Sequence, residues 1–332
     1  MAGIKSLRKI QFGKETTSGN AVAASTIWRG TGTIEDQREL VFIEEDVGVL
    51  QRTDRSCTPK LLGAITLEDT PATFEQLPYI LEAGIDLVNT GATDTSGSGK
   101  IYTYTWPTTQ ATTLRTFTIE GGDDQEAGEM AFCHVPSFTI AGKQSEVMTM
   151  SADFIGRTVA TTTFTADQTV PAVEEILFGN GVLFIDTVSS IGTTTKSNTL
   201  LEMSYNAATG QAARFPASGN VYFARVATVP AEIELQLTFE HDGSATAEKA
   251  FWKAETARAL RLKFEGSTLT SAGSTYSKKT LIIDLYGTWS KFDALSDDDG
   301  NDTVVGTFRG AYNATGTALG SITVVNQNAT RT

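Results

Sequence analysis

The residue types that most often carry chemistry are scarce in this chain of 332 residues, which has two cysteines and two histidines. Two cysteines are too few for a disulfide framework in a chain of this length. The histidines, His134 and His241, lie far apart in sequence, and neither belongs to a metal-binding motif such as H-E-x-x-H. We therefore predict no disulfide scaffold, no metal site and no cofactor.

Positive charge and long apolar runs are also in short supply. Lysine and arginine number 26 against 39 aspartates and glutamates, which gives a net charge of −13. A protein that holds DNA through its phosphates needs the opposite balance. No apolar run approaches the ~20 residues of a membrane span, and residues 1–10 lack the apolar stretch of a signal peptide. The sequence predicts synthesis in a cytoplasm, no membrane partner and no stable binding of nucleic acid.

No residue pattern in the chain is typical of an enzyme. Glycine-rich phosphate loops and the G-x-S-x-G nucleophile motif are absent. Apolar neighbours predict that His134 and Cys133 are buried in a strand, whereas His241 lies beside carboxylates in a predicted turn. Cys57 has no histidine nearby in sequence to activate it, and Glu44 and Glu45 would point to opposite faces of a strand. We expect no catalytic residue.

The acidic segment 297–302 allows two interpretations. Calcium binding is one, but the segment lacks the alternating oxygen ligands and the final glutamate of a twelve-residue calcium loop. A tight turn between two strands is the other, since aspartate tolerates the left-handed region and Gly300 adopts it readily. The composition favours the turn.

Most of the remaining sequence alternates between apolar and polar residues, as β-strands with one buried face do. The clearest case is 231–240, where Ile233, Leu235, Leu237 and Phe239 share one face. Further strands are predicted at 147–154, 280–285, 303–312 and 321–325. The predicted fold class is mainly β.

Two segments have helical periodicity instead. The first is 71–83, with Thr70 as its N-cap and Pro71 in its first turn, although Pro78 conflicts with a straight helix. The second is 245–259, with Ser244 as its N-cap and Glu248 on its solvent side.

Each helix follows a strand that ends in acidic residues and precedes further strands, which predicts an internal duplication. The units would be tandem β-sandwich or barrel-like domains, 1–165 and 172–332, each with one flanking helix. Two segments fit neither unit: an N-terminal arm over 1–20 and a hairpin excursion over 35–60, with limbs at 40–43 and 47–50. Because exposed strands recruit other chains, we expect an assembly role for this hairpin.

Several strand motifs resemble those of the tail tube (major tail) proteins of long-tailed bacteriophages. They lie at 128–140, which contains S-F-T-I, at 151–157, which ends in Gly-Arg, at 280–287, at the acidic turn 297–300, and at 322–326. The resemblance is one of strand and turn pattern and spans most of the chain.

The resemblance implies a structural virion protein whose subunits form stacked rings around a channel for DNA. It would be assembled in the host cytoplasm, would reside in the virion tail, and would contact the tape measure, terminator and distal tail proteins. A typical ring has six single-unit subunits. Two units in one chain would instead close a homotrimeric ring with pseudo-sixfold symmetry.

In that arrangement the arm and the hairpin would reach the neighbouring ring. The candidates for inter-ring contacts are Leu40, Phe42, Glu44, Glu45, Val49 and Arg52. The candidates for lining the channel are Glu232 and Glu234, because an acidic wall repels phosphates, although a solvated outer strand would explain them equally well. The alternative function is a non-catalytic β-sandwich binding module, such as an adhesin or a carbohydrate-binding domain.

Overall fold

The computed structural model describes residues 3–50, 54–86, 90–109 and 115–328. Strands account for 51% of the chain and helices for 8%, which confirms the predicted mainly β fold. The elements of the first half are β1 (Lys9–Lys14), β2 (Thr26–Ile27), β3 (Gly32–Asp36), β4 (Glu39–Phe42), β5 (Ser56–Lys60), β6 (Gly63–Pro71), α1 (Leu77–Gly84), β7 (Ala92–Thr93), β8 (Lys100–Thr105), β9 (Phe117–Gly122), β10 (Ala127–Lys143), β11 (Thr149–Gly156) and β12 (Val159–Thr162).

The elements of the second half are β13 (Gly181–Thr187), β14 (Thr195–Lys196), β15 (Leu200–Ala208), β16 (Gln211–Arg214), β17 (Arg225–Thr228), β18 (Glu232–Glu240), α2 (Gly243–Lys253), β19 (Arg258–Thr268), β20 (Lys278–Phe292), β21 (Ser296–Asp298), β22 (Asn301–Gly310) and β23 (Gly320–Asn326). Two single turns of 3-10 helix complete the described elements, at Lys5–Leu7 and Phe178–Asn180.

One antiparallel sheet of eight strands runs through both halves in the order β3-β6-β11-β10-β15-β18-β22-β20. Its buried face packs against strands that extend from the other ends of β10 and β20. These are β9, β1 and β2 beside β10, and β19, β13 and β14 beside β20. β10 and β20 are long because each belongs to both layers.

The order of strand pairing occurs twice in the chain. The first half pairs β2-β1-β9-β10-β11-β6-β3, and the second half pairs β14-β13-β19-β20-β22-β18-β15. Each half also inserts a two-stranded hairpin, β4–β5 or β16–β17, and one helix at the same point. Both long strands carry a bulge at the corresponding place, after His134 and after Trp289. The β7–β8 segment occurs in the first half only.

The two halves are joined by more than the chain. β10 pairs with β15, and β23 pairs with β8, so each half contributes a strand to the other. A single hydrophobic cluster extends through both halves. The division into domains at 1–165 and 172–332 stays a prediction, since the repeat in pairing order does not show that either half folds alone.

The predicted N-terminal arm is wrong from Lys9 onward. β1 pairs along its whole length with β9, and Ile10 and Phe12 are buried in the core. The Phe12 ring contacts Trp28, Tyr79, Phe117 and Phe154. The free energy gained by burying two large apolar side chains, about 1.5–3 kcal/mol each, holds this segment in the sheet.

Helix α1 begins later than predicted. β6 continues to Pro71, so Thr70 pairs with Met150 in a strand instead of capping a helix. The helix starts at Leu77, which places Pro78 in its first turn, where a proline lacks no hydrogen bond. The predicted conflict between Pro78 and the helix therefore does not arise.

Helix α2 is shorter than predicted and is oriented differently. The Asp242 carboxylate, not Ser244, accepts hydrogen bonds from the first backbone N–H groups. Glu248, expected in solvent, is 1% exposed and accepts two hydrogen bonds from Arg258, at 3.0 and 2.7 Å. The Trp289 indole donates a third at 3.1 Å. The ion pair with the buried Arg258 therefore outweighs the periodicity of the apolar residues in setting which side of the helix is buried.

Replacing Glu248 with alanine should lower the free energy of unfolding by about 3–5 kcal/mol, because Arg258 would remain buried without its carboxylate. Urea denaturation followed by tryptophan fluorescence measures the loss. Lys253→Ala, at an exposed position of the same helix, is the control and should change stability by no more than about 0.5 kcal/mol. Equal losses in the two variants would contradict a structural role for the buried pair.

His134 is fully buried, as predicted, and burial lowers its pKa from 6.5 to about 4. The folded state therefore binds fewer protons than the unfolded state, and this contribution to stability is lost as the pH falls from 6.5 through about 4. At pH 5 the loss amounts to about 2 kcal/mol. The difference in unfolding free energy between pH 7 and pH 5 should shrink by that amount in His134→Leu. The exposed His241, changed to leucine, should leave the difference unchanged.

Candidate assembly surfaces

The β4–β5 hairpin projects from the main sheets as a separate two-stranded ladder. Its second limb is not 47–50, as the sequence suggested, but β5, since Val41 pairs with Cys57 and Phe42 with Ser56. Gly48, at a φ of 75°, lies in the bent tip between the limbs. The β-branched residues around this glycine imitate a strand in the sequence, but its left-handed backbone cannot continue a ladder.

Apolar side chains of this hairpin are open to solvent. Leu40 is 53%, Phe42 69% and Val49 63% exposed, and Leu50 and Val47 beside them are also exposed. Contiguous apolar surface of this kind marks interaction sites in folded proteins. Of the charged candidates, Glu45 pairs with Arg55 across the hairpin, Glu44 lies two residues after the end of β4, and Arg52 lies outside the described residues.

The equivalent hairpin of the second half, β16–β17, is packed against its surroundings. The Phe223 ring at its tip is fully buried beside Leu62 and Phe132. The Arg157 guanidinium lies 4.3 Å from the centre of the Phe132 ring and donates hydrogen bonds to the carbonyls of Phe223 and Ala224. This buried contact was not predicted, although the aromatic residues of 215–223 are a signal for it in the sequence.

Glu232 and Glu234 lie on the exposed face of β18, while Ile233 and Leu235 are buried on the other face, as the alternation predicted. The structure adds a cation that sequence analysis overlooked. Arg309 on β22 lies opposite Glu234 in the ladder, and its guanidinium is 3.8 Å from the Glu232 carboxylate. Both side chains of that contact are well exposed, so the ion pair is weak.

The exposed face of the eight-stranded sheet is mostly polar, although half-buried apolar residues such as Ile155 and Val305 also lie on it. Short side chains link its strands: Asp153 accepts hydrogen bonds from Thr66 and Ser137, and Thr139 donates one to Asn206. Charged residues surround them, with more carboxylates than cations. The exposed carboxylates include Glu35, Glu68, Asp153, Glu202, Glu232, Glu234 and Glu240, and the exposed cations include Lys143, Lys291 and Arg309.

A groove with a volume of about 630 Å³ opens beside this sheet on the second half. Val229, Pro230 and Ala231, which join β17 to β18, form one wall, and Ala311 and Tyr312 after β22 form another. In the first half, the matching segments are 61–62 and the residues that follow β11, and these hold Phe223. The groove therefore lies at the position that corresponds to the binding site of the Phe223 side chain on the first half.

The residues considered for chemistry lie apart from one another. His134 is buried in β10, His241 lies in the bend before α2, and Cys57 is exposed on β5. Asp299 and Gly300, at φ values of 51° and 87°, form the two-residue turn that joins β21 to β22, as the sequence predicted. Across the described ranges, no three histidine, cysteine or carboxylate side chains are grouped as metal ligands.

Within the part of the chain that the structure describes, no helix has the length and apolarity to cross a membrane. Comparison with known proteins returns no family: no protein-family model and no curated protein matches this chain.

Proposed function

We propose that this chain is a structural subunit that assembles with copies of itself into stacked rings around a channel, as the tail tube proteins of long-tailed bacteriophages do. One observation carries the proposal: an eight-stranded sheet built from two equivalent sets of four strands, buried on one face and mostly polar on the other. A sheet with this pattern can form a segment of a wall, with its polar face toward the bore.

The charge of the polar face supports passage of DNA without binding. Exposed carboxylates outnumber exposed cations there, and an acidic wall repels phosphates within about one Debye length, ~8 Å at physiological salt. Because phosphate contacts dominate the affinity of proteins for DNA, such a wall lets a duplex slide.

The remaining elements of the proposal follow from the tail tube function. The protein would be assembled in the host cytoplasm and reside in the virion tail. Its other partners would be the tape measure, terminator and distal tail proteins. The exposed apolar hairpin β4–β5 would supply contacts to the neighbouring ring.

A carbohydrate-binding or adhesin-like module is the second candidate. Such modules commonly present aromatic rings to their ligand, but Trp28, Trp106 and Trp289 are each less than 5% exposed, and Trp252 packs against Phe292. Negative-stain microscopy of the purified protein separates the two candidates. Hollow rods or stacked rings support the tube, whereas a protein that stays monomeric at high concentration contradicts it.

Replacing Val47, Val49 and Leu50 at the tip of the β4–β5 hairpin with serine should shorten or abolish rods while leaving the subunit folded. These side chains are exposed in the single chain, so the unfolding free energy should change by no more than about 0.5 kcal/mol per site. Rod length in micrographs and a urea denaturation curve measure the two effects. Val170→Ser removes an equally exposed valine outside the hairpin and should leave rods unchanged. Rods of normal length from the triple variant would contradict a role for the hairpin in stacking.

Changing Glu232 and Glu234 together to lysine should convert a wall that repels DNA into one that holds it. The new ammonium groups would join Arg309 in every subunit and bind phosphates. Assembled rods of the variant should cosediment with duplex DNA at low salt and release it as the salt concentration rises, while wild-type rods should not retain DNA.

The control for that experiment is Glu175→Lys with Glu255→Lys, which makes the same change in net charge at exposed positions outside the eight-stranded sheet. Equal retention of DNA by both double variants would show that net charge, and not the position of β18, determines binding. Intact rods of the Glu232/Glu234 variant that retain no DNA would place this face on the outside.

A further inference from the structure

The junction between the two halves of the chain shows how one unit can follow another. Residues 137–143 of β10 pair antiparallel with β15, and the register places Ser137 opposite Ala208 and Lys143 opposite Glu202. This pairing continues the four strands β3-β6-β11-β10 of the first half into the four strands β15-β18-β22-β20 of the second. The β16–β17 hairpin, which follows β15, then buries Phe223 against the first half.

Each end of the eight-stranded sheet is formed by a segment equivalent to one of the two strands of this junction. Among the described strands, each of these end segments pairs on one side only. β3 is the counterpart of β15, and it pairs only with β6 among the described strands. The counterpart of residues 137–143 is 291–297, which covers the end of β20 and the start of β21. β22 pairs with one side of this segment, and the described strands leave its other side without a ladder.

The two halves can be aligned residue by residue through their ladders. Phe138, Ala152 and Leu67 lie side by side in the first half, as Phe292, Gly306 and Leu237 do in the second. Leu67 pairs with Gly32, and Leu237 pairs with Met203. With this alignment, the internal pair Ala141–Ser204 corresponds to Leu295 and Thr33.

We propose that β3 of one copy pairs antiparallel with residues 291–297 of the next copy, so that the β10–β15 junction within each chain is repeated between chains and three copies close a ring. This inference rests on the proposed function and specifies its contact. The partner is a second copy of this chain, because β3 repeats β15 and residues 291–297 repeat residues 137–143. A head-to-tail contact of two different edges closes into a ring when its rotation divides the circle, and six equivalent junctions require three chains.

The side chains at the two edges suit this pairing. When the register of the β10–β15 junction is applied to β3 and residues 291–297, the half-buried Ile34 lies opposite Ala294. Leu295 then lies opposite Thr33, and this leucine is 48% exposed in the single chain. It also places Glu35 opposite Asp293, whose carboxylate lies 2.5 Å from the Lys291 ammonium. The lysine compensates for the two like charges. The backbone N–H and C=O groups of both edges gain the hydrogen bonds that an edge strand otherwise leaves to water.

The empty groove on the second half is a second and independent observation. Two of its walls correspond to the segments that hold Phe223 on the first half, and residues 106–109 after β8 form a third, so a hairpin from a neighbouring chain can bind there. When β3 of that neighbour pairs with 291–297, its β4–β5 hairpin lies where β16–β17 lies in the internal junction. The limb of this hairpin that carries Leu40 and Phe42 then contacts a subunit of the same ring, while its tip, with Val47, Val49 and Leu50, stays available to the neighbouring ring.

Paired cysteines test the proposed register in the full chain. In a Cys57→Ser background, which removes the exposed native thiol, Thr33→Cys with Leu295→Cys should cross-link between chains under mild oxidation. Non-reducing electrophoresis should show products of two and three chain masses, with three as the upper limit. Ala141→Cys with Ser204→Cys is the matched control, since the same register within one chain should oxidise without any change in apparent mass.

A second control tests the register itself. Thr33→Cys with Lys291→Cys lies four residues out of register, about 13 Å along the strand, and should cross-link at least tenfold less. Rods or rings visible by negative stain, together with an oxidised internal control and no link between Thr33→Cys and Leu295→Cys, would overturn the edge pairing and leave the proposed function standing. Products of more than three chains would overturn the closed ring. Absence of any assembly by the wild-type chain would overturn the proposed function as well.

Discussion

The pairing of β10 with β15 is the interaction on which the architecture depends. It joins two sets of four strands into one sheet, and it places the edge of the first half where the second half begins. Without it, each half would present an unpaired edge beside a half-open core. The single hydrophobic cluster that extends through both halves exists because this ladder holds their buried faces side by side.

The bulges in β10 and β20 make that junction possible. Each long strand pairs at one end within the outer layer and at the other end within the eight-stranded sheet. A strand can change layers only where its twist increases locally, and a bulge supplies that increase. The extra residue after His134 and its counterpart after Trp289 therefore separate the two layers, and the core fills the space between them.

The sequence was sufficient where local pattern determines structure. The alternation through β18 predicted which side chains are buried, and Asp299 with Gly300 predicted a two-residue turn, because both depend on neighbouring residues alone. Sequence pattern gave wrong predictions where the structure depends on contacts between residues far apart in the sequence, or on the backbone conformation of one residue. Glu248 is buried by Arg258, β1 is held by β9, and the tip around Gly48 only resembles a strand.

The candidate surfaces divide in the same way. The exposure of Glu232 and Glu234 and of the β4–β5 hairpin follows from residue pattern, and both were predicted. The position of Arg309 beside those glutamates depends on the register between β18 and β22. The burial of Phe223 depends on the junction between the halves. Register and junction involve residues far apart in sequence, which periodicity in a single chain does not relate.

The number of strands in the sheet determines how close its acidic face would lie to DNA in a ring closed by the edge pairing. In the proposed ring, eight strands from each of three chains, spaced about 4.8 Å apart, would give a circumference of about 115 Å and a backbone diameter of about 37 Å, before strand tilt widens it. Side chains on the polar face would then leave a bore in which a duplex passes close to the wall. Because the gap is comparable to the Debye length of ~8 Å, carboxylates there still act on phosphates. Carboxylates on the outer surface of the ring would not, so the acidic excess is effective only if this face turns inward.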